Sequence, residues 1–148
     1  MNHLAEFVRA TKESGDFSGL VANIPYLRLL GFTATVEGGD VIGKMSYADE
    51  LIGNASIPAL HGGTIGALME STALLHALYQ SETLVLPKIV SITVDFLRTG
   101  RPVDTFARGT ITKRGRRVVN VGVQAWQEDA ARPIARANCI FLIEPIVT

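Results

Sequence analysis

The 148-residue chain has a single cysteine, three histidines and no net charge, with 14 basic residues balancing 14 acidic ones. A lone thiol, Cys139, cannot form an internal disulfide, and nothing in the chain has the spacing of metal ligands. Its apolar setting (Ala137, Ile140, Phe141) reads as that of a small core residue. Zero net charge withholds the basic footprint on which nucleic-acid affinity usually rests, so no nucleic-acid partner is expected. Apolar runs are short as well: none reaches the ~18 residues that a membrane helix needs. The first ten residues read as an amphipathic helix start, not as a signal peptide with a basic front and an apolar middle. These absences lead to the expectation of a cytoplasmic protein with no metal and no membrane partner.

What is present suits one ordinary domain. At this length a single domain over residues 1–148 is expected, and such a domain buries roughly 70% of its unfolded surface. Residues 1–30 read as a helical segment, with one helix over about 3–14 and another over 24–30 that Pro25 starts. Residues 32–36 alternate like a strand, and Gly38-Gly39-Asp40 turns them into a second strand over 41–47. A loop carrying Gly53, Asn54 and Pro58 follows over 48–60. The second half is all strand, over 89–98, 105–113, 118–127 and 134–144. In the first of these Val90, Ile92, Val94 and Phe96 share one face. Three hairpin-like connections are expected among these four strands.

Between the halves lies His61-Gly62-Gly63-Thr64-Ile65-Gly66-Ala67-Leu68-Met69-Glu70. From 65 to 78 the residues are apolar on nearly every side, which marks a core helix running to about 79. Six antiparallel strands satisfy such a helix by curling round it, so the expected class is α+β with a curved sheet wrapped on a central helix. Glu70 is a lone acid in the middle of this helix, and acids are seldom buried without a partner. The glycine pair leaves helix N–H groups free and lets another molecule's carbonyl come close. Each feature alone has a structural explanation, as a turn or as a subunit contact. Together, within ten residues and behind a histidine, they are equipment for attacking a carbonyl.

These residues resemble the hotdog-fold acyl-CoA thioesterases, in particular the branch related to phenylacetic acid degradation. The resemblance covers roughly residues 30–144. It rests on Leu60-His61-Gly62-Gly63 with an acid nine residues after the histidine, and on the later Val94-Asp95-Phe96-Leu97-Arg98. It implies hydrolysis of the acyl thioester of a small, aryl or medium-chain acyl-CoA, with no cofactor beyond the coenzyme A of the substrate. It further implies a homodimer that often pairs into a tetramer. Glu70 matches the family's catalytic carboxylate, and Gly63 its helix-terminal N–H donor, with Gly62 beside the substrate. Many relatives carry an asparagine six residues before the histidine. Here Ala55 holds that place, and Asn54, one step earlier, is the candidate for the water-positioning catalytic role that the resemblance implies for that asparagine. Many members of that branch have Asp where this chain has Glu70.

Thioester hydrolysis needs donors at the carbonyl oxygen and a nucleophile at its carbon. The helix N-terminus would stabilise the oxyanion, while Glu70 would either activate a water or attack directly. His61 is read chiefly as shaping the helix start, with proton transfer as the other reading. Half of the basic residues fall within twenty positions of the second half. Because coenzyme A carries three phosphates, Arg98 or Arg101, with Arg114 or Arg116, is expected to hold them. Gly63 and Glu70 stand about two helical turns, or roughly 10 Å, apart. That gap points to a homodimer with shared active sites, and the mean hydropathy of +0.26 suits a chain that hides apolar surface in contacts. Two other readings stand beside hydrolysis: a hotdog hydratase or dehydratase on acyl thioesters, and a non-catalytic acyl-CoA-binding module.

Overall fold

A computed structural model describes residues 3–144, so the outermost residues of the expected 1–148 domain lie outside the described part. Three short helices lead: α1 (His3–Ser14), α2 (Ser18–Ala22) and α3 (Pro25–Leu29). Pro25 sits in the first turn of α3, where its missing N–H breaks no helix bond. The second helix was not expected, since five residues carry too little periodicity to read. Asp16 Oδ1 accepts from Ser18 N at its start (2.9 Å), and Leu20 and Val21 bury its inner side.

Strands β1 (Phe32–Glu37) and β2 (Asp40–Met45) form the expected hairpin. Gly38 and Gly39 both have positive φ (58° and 84°), the backbone that a two-residue turn of the primed type requires. The stretch 48–60, expected as a loop, is partly built. A 3-10 turn over Asp49–Leu51 leads into β3 (Ile52–Asn54), which pairs with β4 (Ala59–Leu60). Next comes the long helix α4 (Gly62–Gln80), then β5 (Lys88–Phe96), β6 (Thr105–Arg114), β7 (Val118–Trp126) and β8 (Ala135–Leu142).

Six strands form one antiparallel sheet in the order β1-β2-β6-β7-β8-β5, with α4 packed on one face. Alternation decides which side chains meet the helix: Ala107 on β6, Val121, Val123 and Ala125 on β7, and Ala135, Cys139 and Phe141 on β8 are all buried. Gly43 lets β2 approach most closely. A Cβ there would run into Thr72 Oγ1 and lie 2.9 Å from Phe32 Cε2. Two expectations are corrected. β5 pairs with β8 rather than β6, so the last four strands hold two hairpins, not three. β5 is therefore an edge strand. Ile92 and Val94 are only half-buried, while Val90 and Phe96 of the expected apolar face are exposed (58% and 56%). No helix among the described residues is long and apolar enough to cross a membrane.

Candidate active site

The start of α4 is strapped on two sides. His61 N donates to Leu51 O (2.8 Å), and Leu60 N donates to Gly100 O (2.9 Å). A Cβ on Gly53 would come within 2.6 Å of His61 Cα, so β3 can pass this close only as glycine. His61 takes extended backbone and caps the helix: its Nδ1 accepts from Gly63 N (2.9 Å), and its carbonyl accepts from Thr64 N (2.9 Å). With Nδ1 as acceptor, the ring proton of the neutral imidazole sits on Nε2. His61 thereby ties the first turn of α4 to its own side chain.

That cap changes which donor stands open. The Gly63 N–H expected to face a carbonyl is engaged by His61, whereas Gly62 N–H has no acceptor among the described residues. Gly62 lines a groove of about 490 Å³ with Leu60, Ile65, Phe96, Leu97 and Arg98. A Cβ on Gly62 would meet the Phe96 ring at 3.1 Å. The groove is lined mainly by apolar residues, with Arg98 and Thr99 among them, and includes the residue whose N–H is free.

Glu70 lies eight residues further along the same helix, about 12 Å by the helical rise. It is half-buried rather than enclosed as expected, because the sheet covers one side of α4 only. Gly63, Gly66, Ala67, Glu70 and Leu74 remain at least partly open on the other side. The Glu70 carboxylate has no hydrogen bond or ion pair among the described residues, and it does not line the Gly62 groove. It does sit near β8: burial pushes the Cys139 thiol up to about 12, and the Glu70 charge adds to that rise. A thiol so held is inert, in keeping with its reading as a core residue. Thr72, two residues further along and buried, donates its hydroxyl to Leu68 O (2.8 Å).

The remaining candidates separate. Asn54 Oδ1 accepts from Ser56 N (3.0 Å), an Asx turn within its own loop, and Asn54 does not line the Gly62 groove. Arg98 and Arg101 lie beside the helix start, in a recess that also holds Arg132, a residue unmarked in the sequence reading. Arg114 ends β6, next to the turn that carries Arg116, and Arg114 acts on His76 near the far end of α4. β6 runs ten residues, about 30 Å, between the two groups. Within one chain they do not form the single expected phosphate site.

A six-stranded antiparallel sheet packed on one long helix, with a glycine-rich helix start beside a groove, defines a hotdog-type fold. Residues 53–142 match the family model described as the acyl-CoA thioesterase N-terminal domain. The chain belongs to this family. A crystal structure of a protein from Chromobacterium violaceum is 35% identical over 96% of this chain and 99% of its own, with a TM-score of 0.78. Two further crystal structures share the fold at lower identity. A protein from Ralstonia eutropha JMP134 named as phenylacetic acid degradation-related is 18% identical over 96% of this chain and all (100%) of its own, with a TM-score of 0.76. A thioesterase from Staphylococcus aureus is 20% identical over 82% of this chain and 99% of its own, with a TM-score of 0.72. No curated protein matches the chain.

Proposed function

We propose that this protein hydrolyses the thioester of a small, aryl or medium-chain acyl-CoA, with coenzyme A entering only as part of the substrate. The observation that carries this reading is the free N–H of Gly62, a residue lining a largely apolar groove, in a chain of the acyl-CoA thioesterase family. The thioester carbonyl would accept from Gly62 N–H, and from Gly63 N–H once the His61 ring turns aside. The positive end of the α4 dipole would favour the negative charge that develops on that oxygen.

Glu70 is the acid with a task. In one route it takes a proton from water as the hydroxyl adds to the carbonyl carbon. The tetrahedral oxyanion then collapses, the C–S bond breaks, and the proton passes from Glu70 to the leaving thiolate. In the other route the carboxylate itself adds, expels the thiolate and leaves an anhydride that water opens. Both routes require Glu70 within about 3 Å of the reacting carbon or its water. The 12 Å rise between Gly62 and Glu70 along one helix argues against one chain supplying both.

The active form in this reading is therefore a homodimer, with Gly62 of one copy facing Glu70 of the other across a twofold axis, and two dimers pairing into a tetramer. The exposed β5 edge with Val90, Phe96 and Leu97, and the uncovered small residues of α4, support a second copy there. The test is thiol release from short, medium, long and aryl acyl-CoAs, run beside water addition to an enoyl-CoA. Release from at least one class, abolished in Glu70→Gln, is expected. Water addition without thiol release, or binding without turnover, would replace this reading with the hydratase or the binding module.

A further inference from the structure

The face of the sheet turned away from α4 carries polar and aromatic groups that none of the chemistry above uses. Ala107, Val123 and Ala137 are buried in the core beneath α4, so alternation sends their neighbours on β6, β7 and β8 to the opposite side. The register lines these neighbours up. Arg108 stands opposite Gln124, and Gln124 opposite Arg136. Two residues along β6 and β7 in one direction Phe106 faces Trp126, and in the other Thr110 faces Gly122. Arg108, Thr110, Gly122, Gln124, Trp126 and Arg136 all line a groove of about 660 Å³. Neither α4 nor the Gly62 groove contributes a residue to it. Backbone conformation does not call for glycine at 122, where φ is not positive. What Gly122 supplies is space: a Cβ there would already meet Thr112 Cγ2 at 3.3 Å, and a larger side chain would enter the groove.

Two arginines flank Gln124, and their charges differ in kind. Arg108 is engaged by Glu37 (3.4 Å) and Asp40 (3.8 Å), which balance it. Arg136 has no ion pair among the described residues, although Asp95 stands opposite it on β5. Its charge is the uncompensated one in the groove. Trp126 is the diagonal cross-strand neighbour of both arginines, a step of about 7–8 Å that a long side chain can reach across. The indole is half-buried and stacked on Phe106, with ring centroids 6.0 Å apart and planes 22° apart. We propose that this groove binds an aromatic carboxylate, with its ring against Trp126 and its two oxygens on the Arg136 guanidinium. The planar fork of arginine matches a carboxylate in two parallel bonds, and an aromatic ring gains from an offset or edge contact with the indole. Gln124 Nε2 is a further donor between the two cations. Glu37, which also lines the groove, repels an anion from the Arg108 side and leaves it to Arg136. An inorganic anion would leave the indole unused, and a neutral arene would leave the arginine unpaired. The site lies across the sheet from α4 and does not depend on the reaction proposed there.

Trp126 is the only tryptophan of the chain, so its emission reports this groove directly. The probe is benzoate, titrated into the full chain, with acetate and benzyl alcohol as controls. A saturable change in Trp126 emission is expected with benzoate. Acetate lacks the ring and benzyl alcohol the charge, so each should bind at least about tenfold more weakly. Arg136→Gln, an exposed change, should weaken benzoate binding by about tenfold or more. Gly122→Val should abolish it by filling the groove. Glu70→Gln should bind benzoate as wild type does, because α4 takes no part in the site. The proposal is overturned if Arg136→Gln binds like wild type, or if either control binds as tightly as benzoate. Weaker binding in Glu70→Gln would place the ligand at α4 and overturn it too. So would emission that responds to protein concentration but not to benzoate, since that would assign this face to a second copy of the chain. The titration uses no thioester, so its failure leaves the thioesterase reading standing, and absence of thiol release leaves this site standing.

Discussion

At position 70 the chain keeps a half-buried carboxylate that no hydrogen bond or ion pair among the described residues engages. Removing its charge breaks no native contact, so stability and activity should respond differently. Glu70→Gln is expected to lower kcat by about 10²–10⁴-fold, the usual range for losing a general base. Its unfolding free energy should stay within about 0.5 kcal/mol of wild type. A folded Gln variant keeping a third of the activity would remove Glu70 from the chemistry. His76 is the opposite case, a buried imidazole whose Nδ1 accepts from Val41 N (3.3 Å). Burial lowers its pKa; Asp40 opposes that shift and Arg114 reinforces it. With the native value below the ~6.5 of an unfolded chain, the contribution is full above that pH and is lost as pH falls below it. Urea midpoints should therefore drop more between pH 8 and pH 5 in wild type than in His76→Gln. Equal drops would contradict this. Glu70, His61 and the glycine pair were legible in the sequence because their spacing is local. Arg132 was not, since Arg98 and Arg101, with which it lines a recess, come from a distant part of the sequence. The open donor was read as Gly63 and not Gly62 because a side-chain cap depends on a rotamer, which spacing does not reveal.

Among the elements, α4 and its sheet depend on close approach. Gly43 on β2 lies against Thr72, whose hydroxyl is already committed to Leu68 O. Gly43→Ala should destabilise by roughly 1–3 kcal/mol, as overpacking does, read as a lower urea midpoint at an unchanged slope. A midpoint equal to wild type would show that the helix can shift away freely. The strands themselves were readable from alternation, and the β1–β2 turn from its glycines. The position of β5 was not, because alternation reports which side chains share a face and is silent on which strand lies next door. Pairing with β8 left β5 on the edge, and that edge accounts for the exposure of Val90 and Phe96. The β3–β4 pair was missed for a similar reason, since two- and three-residue strands carry no usable period.

For the molecule as a whole, the account turns on two parts that one chain holds too far apart, the Gly62 donor and the Glu70 acid. The measurement that bears on this most directly mixes two inactive variants. One is Glu70→Gln. The other is Gly62→Pro, which deletes the free N–H at the first helical position, where proline is tolerated. In a dimer with shared sites, each mixed pair has one intact site and one doubly damaged site. Random exchange makes half of the dimers mixed, so activity should recover to about a quarter of wild type. No recovery after confirmed exchange, with both variants folded, would contradict the account and return both parts to a single chain.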